Sequence, residues 1–170
     1  MEIIQHDNVL QLPDKSQDAT PDSSQELPKA DYYALVPDGD YMAALIGAEG
    51  NWYRGVSPKV VLWFRIDEGD QTGEKLPAYF NVETLDCRRG QRVRKPTFTV
   101  GWGRDLTTCL AILFPDRYSR DDLPRKIPEA EIKVRSIHIR ARTSKKTHKG
   151  QKRPPAFHYS VVDTILGWVE

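Results

Sequence analysis

A short run of alternating side chains constrains the fold of this chain more than any other feature. Residues 59–67 read KVVLWFRID and alternate with a period of two, which is typical of a β-strand whose two faces differ. The face that should meet a core carries Val60, Leu62, Phe64 and Ile66. The opposite, noncore face carries Val61, Trp63 and Arg65.

Similar signals predict one strand on each side of this run. A Pro-Asp-Gly turn at residues 37–39 precedes a first strand over residues 41–49. A glycine-containing hairpin loop at residues 68–73 leads to a third strand over residues 75–84. The core face of the third strand carries Leu76, Ala78, Phe80 and Val82, and its noncore face carries Pro77, Tyr79 and Asn81. Proline donates no hydrogen bond to a ladder, so Pro77 favours an edge or a barrel corner.

The second half of the chain predicts one helix and two more strands. Leu106, Cys109, Leu110 and Leu113 recur at helical spacing within residues 104–114, and Pro115 follows where the helix should stop. A fourth strand, with a β-bulge near Ser136, is indicated by Ile132, Val134, Ile137 and Ile139. A basic loop over residues 142–155 then leads to a fifth strand over residues 157–165.

Three strands, a helix and two strands occur in the order of the OB-fold, a partly open five-stranded barrel that binds oligonucleotides or oligosaccharides. We therefore predict a mainly β, OB-fold-like barrel over residues 32–170, with one short helix between strands three and four. Residues 1–31 are rich in Asp, Gln, Ser and Pro, a composition that buries too little apolar surface to order itself. We predict a disordered acidic tail there, which is also a candidate segment for binding protein partners.

The net charge of +1 hides a separation of charge along the chain. Residues 88–153 contain 19 Lys and Arg but only 6 Asp and Glu, whereas the rest of the chain contains 6 and 18. A basic half of this kind makes a polyanion the first candidate partner. The alternative is solvated charge spread over the surface.

The noncore face combines aromatic rings with cations, which is the chemistry that binds single-stranded nucleic acid. Trp63 and Arg65 should lie beside Tyr79 and Asn81, so that bases stack on the rings. The loop between strands one and two adds Trp52, Tyr53 and Arg54. A basic run after strand three adds Arg88, Arg89, Arg92 and Arg94. The last hairpin loop adds Arg142, Lys145, Lys146, Lys149, Lys152 and Arg153. The alternatives are that Trp63 and Tyr79 pack under a helix or the N-terminal segment, and that the loop cations are merely solvated.

Turn and core positions of the chain also follow a family pattern. A Pro-x-Gly-x-Tyr start is followed by a proline-bounded loop, an acidic residue with Gly, a further Gly, and a strand ending in Phe-Asn. Here those positions are Pro37, Gly39, Tyr41, Pro58, Glu68, Gly69, Gly73, Phe80 and Asn81. The pattern resembles a phage and mobile-element family of small OB-fold proteins assigned to single-stranded DNA binding, and covers residues 36–166. The resemblance implies the same fold and activity here, although the arginine-rich insert at residues 86–97 departs from it.

Two other function classes are weighed against nucleic-acid binding. One is a protein-interaction module on the same barrel. The other is a metal-dependent nuclease, because residues 129–133 contain a Glu-x-Lys element and Asp116, Asp121 or Asp122 could add a carboxylate. That tripeptide is common, so we predict no enzyme, no cofactor and no metal site.

The cysteines and the apolar runs bear on the compartment. Cys87 and Cys109 form no CxxC pair, which fits a reducing cytoplasm, and the chain shows no membrane-spanning run and no signal-peptide layout. The sequence therefore predicts a cytoplasmic protein that binds single-stranded DNA, with RNA left open, and supports replication or recombination of a phage or mobile element.

Overall fold

The computed structural model describes residues 34–146 and 149–170, and this part of the chain is mainly antiparallel β-structure. The predicted acidic tail over residues 1–31 lies outside the described residues. The strands are β1 (Gly39–Tyr53), β2 (Ser57–Ile66), β3 (Lys75–Asn81), β4 (Thr84–Leu85), β5 (Arg92–Arg94), β6 (Phe98–Thr99), β7 (Ile137–Ser144) and β8 (Tyr159–Trp168). The helices are α1 (Asp105–Leu113), α2 (Glu129–Ile132) and a short 3-10 turn (Pro155–Phe157).

The strands form one six-stranded sheet and one two-stranded sheet. The large sheet has the order β3-β2-β1-β7-β8, and β5 pairs with the far end of β1. The long strand β1 connects the sheet, because it pairs with β7 over Gly39 to Ala43 and with β2 from Ala43 onward. Its register shifts between Leu45 and Gly47, where a β-bulge lies. The small sheet joins β4 to β6.

The predicted barrel is corrected to an open sheet. Strands β3 and β8 contact each other across the fold, yet they share no hydrogen-bonded ladder. Helix α1 contacts both strands, and a cavity of about 210 Å³ lies between them, lined by residues of β3, α1 and β8. The two edges therefore approach one another with helical side chains between them, and the sheet does not close.

The alternation in the sequence correctly predicts which side chains form the core. The predicted core faces of β2 and β3 are buried, and so are Leu106, Cys109, Leu110 and Leu113 of α1. The helix occupies nearly the predicted range. Burial of each large apolar side chain contributes roughly 1.5–3 kcal/mol to folding, which makes this main core the largest source of stability.

The predicted start of the fourth strand is wrong. Ile132 is the last residue of α2, whereas Val134 is 77% exposed and β7 begins only at Ile137. A local cause is visible, since Lys133 pairs with Glu129 one helical turn earlier and its backbone N–H donates to the Glu129 carbonyl oxygen. The bulges of this region lie inside the β7–β8 pairing instead.

Two predicted loops contain more regular structure than expected. The hairpin between the last strands is shorter than residues 142–155, because β7 continues to Ser144 and a further bridge joins Lys146 to Lys152. The arginine-rich insert contributes β5 to the main sheet and lies between the two short strands β4 and β6. Cys87 and Cys109 are free thiols, and burial raises the pKa of Cys109 to about 12. The helices of the described residues are too short and too polar to cross a membrane.

Candidate nucleic-acid interface

The noncore side of β1, β2, β3 and β5 forms one continuous surface, which we name the outer face. Directly paired residues of neighbouring strands project to the same side of a sheet, so the strand register defines its rows. One row across β3, β2, β1 and β5 consists of Tyr79, Val61, Glu49 and Arg94. The next row consists of Asn81, Lys59, Asn51 and Arg92. Two further rows lie on the other side of the first row, each given in the order β3, β2, β1. The nearer row consists of Pro77, Trp63 and Gly47, and the farther row consists of Lys75, Arg65 and Ala44.

Trp63 does not provide the exposed ring that the sequence predicted. Its side chain is on the expected side, but it is only 4% exposed and packs with Ile46 and Val61 in a small cluster separate from the main core. It is paired with Pro77, and Tyr79 is paired with Val61, so the predicted Trp63–Tyr79 neighbours are offset by one row. Among the described residues, no hydrogen-bond acceptor reaches its buried Nε1. A base could not stack on this ring without a rearrangement. The alternative that both rings are packed holds for the burial of Trp63 but not for Tyr79, which is exposed.

Tyr79 and Tyr53 are the exposed rings of the outer face. They are 41% and 40% exposed. Tyr53 ends β1, where the Arg54 guanidinium lies 5.5 Å and the Lys59 ammonium 5.6 Å from its ring centroid. A ring flanked by two cations is suited to a base with its phosphate, because the ring can stack while the cations meet the backbone.

Lys59 is a residue of this surface that the sequence reasoning missed. Its Nζ donates a hydrogen bond of 2.7 Å to Asn81 Oδ1, which connects β2 to the polar end of β3. Partial burial lowers the pKa of Lys59. The same alternation that placed Val61 and Trp63 on the noncore face also includes position 59, so the signal that would have identified Lys59 was present.

The arginine run after β3 is divided between two sides of the sheet. Arg92 and Arg94 belong to β5 and project from the outer face, where Arg92 pairs with the buried carboxylate of Glu49. Arg88 and Arg89 are exposed on the turn before β5. The run is therefore partly an additional strand at the end of β1 and not only a flexible loop.

Trp52 has a structural position and does not join the outer face. It precedes Tyr53 on β1 and so projects to the core side, where it packs against the main core. Its Nε1 donates a 2.9 Å hydrogen bond to the Cys87 carbonyl oxygen, and the Arg89 guanidinium covers its ring at 5.4 Å. Trp52 therefore anchors the insert to β1, and its predicted role in base stacking is not supported by this geometry.

The cations of the last hairpin differ in their surroundings. Lys145, Lys146, Lys149 and Lys152 are exposed, and residues 147 and 148 between them lie outside the described ranges. Arg153 lies over the Tyr159 ring at 5.0 Å and donates a 3.1 Å hydrogen bond to the Lys146 carbonyl oxygen, so it stabilises the hairpin. Arg142 pairs with Asp163 on the neighbouring strand β8. Likewise on β2, Arg65 pairs with Asp67 at 3.1 Å.

The two basic loops lie at opposite ends of β1. The turn containing Arg54 follows the last residue of β1, whereas the hairpin tip extends beyond Gly39, the first residue, since Gly39 is paired with Ala141. A straight strand of this length would span roughly 45 Å, and the bulge shortens it. There are thus two separate basic regions: the outer face with the Arg54 turn, and the hairpin tip. Only a long ligand could contact both.

The charges of the Glu-x-Lys element are engaged in ion pairs around α2. Lys133 pairs with Glu129 at 2.9 Å, and the Arg117 guanidinium contacts both oxygens of Glu131. Within residues 34–146 and 149–170, no group of three or more His, Cys, Asp or Glu side chains is placed to hold a metal ion. The observed contacts give these residues a structural role.

An apolar groove that the sequence did not predict borders α1. Trp102, 48% exposed, and Ile112 line a cavity of about 380 Å³ together with Gly103, Thr107, Thr108 and Ala111. Ile112 and Thr108 also line the smaller cavity between β3 and β8. This groove favours the alternative of a protein-interaction surface, because exposed neighbouring apolar side chains are typical of such sites.

Comparison with known proteins identified no match. No family model, curated protein or solved structure matches the chain.

Proposed function

We propose that this protein binds single-stranded DNA on the outer face of its sheet. The observation that carries the proposal is the combination of exposed rings with cations on one antiparallel surface: Tyr53 and Tyr79 lie among Arg54, Lys59 and Arg94. Phosphates would meet the cations, and bases would stack on the rings with little regard to sequence, because every base has a π-face.

The strand order supports an OB-fold-like reading of this surface. Five strands, β1, β2, β3, β7 and β8, follow the order expected from the sequence, with α1 between the third and the fourth. An OB-fold binds its ligand on strands two and three and in the loops after the first and fourth strands. In this chain β2 and β3 contribute to the outer face, the turn at Arg54 follows the first of the five strands, and the hairpin at Lys145 follows the fourth. The resemblance to phage and mobile-element proteins adds a role in replication or recombination to the proposal.

The roles of the residues differ from those that the sequence suggested. Tyr79 and Tyr53 would replace Trp63 and Trp52 as stacking residues. Lys59 would join Arg94 as a phosphate contact on the sheet, and Lys145 and Lys146 would contact a longer strand at the far end of β1. Arg142 and Arg65 would contribute less, because a carboxylate already neutralises each of them in the structure.

A titration of labelled oligonucleotides tests the proposal. The full chain should bind single-stranded DNA more tightly than duplex DNA, and RNA serves as the competitor that defines the sugar preference. The logarithm of affinity should fall with the logarithm of salt concentration by about 0.7 for each phosphate contacted. The double variant Lys59→Ala with Arg94→Ala should reduce that slope by roughly 1.4 if each cation meets one phosphate.

Arg120→Ala with Lys126→Ala is the matched control, since both are exposed cations on the connection between α1 and α2, which contributes no strand to the outer face. It should leave affinity and slope close to those of the unchanged protein. The proposal fails if single strands do not bind at low salt, or if the control lowers the slope as much as the outer-face variant.

A further inference from the structure

The centre of the outer face is buried although the described helices pack elsewhere. Ile46, Val61 and Trp63 are 9%, 1% and 4% exposed. The helices α1 and α2 place their buried side chains in the main core, on the opposite side of the sheet. Among the described elements, β2 contacts β1 and β3 extensively and β4 slightly, and it makes no comparable contact with a helix. The residues of 34–146 and 149–170 thus supply no helical layer over this cluster.

A tryptophan on an uncovered sheet face keeps much of its large ring accessible to water. Neighbouring side chains on the same face shield its edges, while the outward ring surface needs a further layer. Near-complete burial of Trp63 and Val61 therefore indicates that another segment covers this face. Because the buried cluster is apolar, the part of that segment that lies over it should also be apolar.

The rim of the outer face indicates the charge of that cover. Cations surround the apolar cluster, with Lys59 and Arg65 on β2, Lys75 on β3, and Arg92 and Arg94 on β5. Two of these cations already have carboxylate partners, because Arg92 pairs with Glu49 and Arg65 pairs with Asp67, so five cations share two carboxylates. A segment that is apolar in part and acidic overall would complement this surface.

The segment of this chain that precedes the described residues has that composition. Residues 1–33 contain seven Asp and Glu against two Lys, and they include the apolar residues Ile3, Ile4, Val9, Leu10 and Leu12. Apart from residues 147 and 148, this segment is the part of the chain that lies outside the described residues.

The point where this segment joins the fold allows it to reach the outer face. The Ala34 carbonyl oxygen accepts a 2.8 Å hydrogen bond from the Ser160 backbone N–H, so the chain enters beside β8. Strand β8 contacts β3, whose neighbour is β2. At about 4.8 Å between strands, the outer face of β2 lies within a few tens of ångströms, whereas 33 residues can span up to about 110 Å.

We propose that residues 1–33 dock on the outer face, with their apolar side chains on the cluster of Ile46, Val61 and Trp63 and their carboxylates opposite the surrounding cations. The same segment then competes with nucleic acid for Lys59, Arg94 and the ring of Tyr79. The competition rests on the proposed function, but the docking does not, because the docking follows from burial, charge and reach alone.

Docking is tested without any nucleic acid. In the full chain, Cys87→Ser removes the accessible thiol and Ser16→Cys introduces a site for a nitroxide label, while the buried Cys109 stays unreactive. The label should attenuate the indole N–H resonance of Trp63 at least twofold relative to the reduced label. The indole of Trp102, which lies on the α1 groove, is the internal control.

High salt and removal of charge should both reverse the effect. At 1 M salt the screening length is about 3 Å, which weakens contacts between carboxylates and exposed cations. The same follows when Asp14, Asp18 and Asp22 are replaced by Asn and Glu26 by Gln. Equal attenuation of Trp63 and Trp102, or attenuation that the amide variant leaves unchanged, overturns the docking.

Competition has a separate readout. Tethering gives the segment an effective concentration of about 1 mM at the face, so the amide variant should bind an oligonucleotide roughly two- to tenfold more tightly than the unchanged chain. Equal or weaker binding by the amide variant overturns the competition. If neither protein binds DNA while the label still attenuates Trp63, the proposed function is wrong and the docking stands.

Discussion

Replacement of Tyr79 by alanine is the sharpest test of where bases would stack. The ring is 41% exposed on β3, in the row between Asn81 and Pro77 on the outer face. Loss of one base–ring stack costs roughly 1–3 kcal/mol, which corresponds to about a 5- to 150-fold weaker affinity for single-stranded DNA. The fold should tolerate the change to within about 1 kcal/mol, because the ring does not belong to either buried cluster.

Fluorescence anisotropy of a labelled oligothymidylate at several salt concentrations measures both affinity and slope. Tyr79 is neutral and releases no counterion, so Tyr79→Ala should lower affinity at every salt concentration while the log–log slope stays the same. Tyr79→Phe keeps the ring and should bind within about twofold of the unchanged protein. This pair of variants separates stacking from electrostatic attraction.

Trp102→Ala is the matched control, because it removes an aromatic ring of similar exposure from the α1 groove. It should leave affinity nearly unchanged. Unchanged binding by Tyr79→Ala would refute stacking on the outer face. An equal loss in Trp102→Ala would instead show that binding does not distinguish the outer face from the groove.

Two further predictions concern stability. Trp63→Ala should lower the free energy of unfolding by about 3–5 kcal/mol, measured by urea denaturation, because it opens a cavity in the buried cluster with Ile46 and Val61; an effect below about 1 kcal/mol would contradict the burial of Trp63. Hydrogen bonds from the Thr143 side chain and backbone lower the pKa of Asp38 below its ordinary value of 3.8, so ionised Asp38 stabilises the fold above that value and the contribution is lost as pH falls through the lowered pKa. Asp38→Ala should therefore reduce the melting temperature at neutral pH and lose that deficit in strong acid, and a deficit independent of pH would exclude the linkage.

The sequence predicted the core of the sheet well because the pattern there is local. In a strand with one buried side, every second residue is apolar, so the alternation from Val60 to Ile66 was sufficient to assign the core side of β2. The helix α1 was identified for the same reason, with the helical period. Each of these elements contains its own evidence within about ten residues.

The misassigned segments are those in which the spacing of apolar residues does not correspond to the secondary structure that forms. Ile132 and Val134 have the spacing of a strand, but the Glu129–Lys133 pair belongs to a helical turn, so Val134 projects to solvent. Strand β5 reads Arg-Val-Arg, which is too short for an alternation to be recognised in the sequence. It is held by pairing with β1, a contact more than forty residues distant in sequence, which no local pattern records.

Trp63 shows a different limit of prediction from sequence. The side of the sheet to which Trp63 projects was predicted correctly, because the pleat alone determines that direction. The exposure of Trp63 was predicted wrongly, because exposure depends on what lies over that side. The same reasoning placed Tyr79 correctly and left it accessible, so one rule gave opposite outcomes for two residues of one surface.

The separation of charge along the sequence also changes meaning once the strands are paired. Arg140 contacts Asp40 across the β1–β7 pairing, and Arg142 contacts Asp163 across the β7–β8 pairing. Both carboxylates come from the acidic part of the chain, so the sheet neutralises cations that a count along the sequence leaves unpaired. The free energy available to attract a polyanion must then come from other cations, and the exposed Lys145 and Lys146 lie just beyond these pairs on the same hairpin. A salt slope that falls on substitution of those lysines, but not of Arg142, would follow from this pairing, whereas the linear sequence groups Arg142 with the lysines.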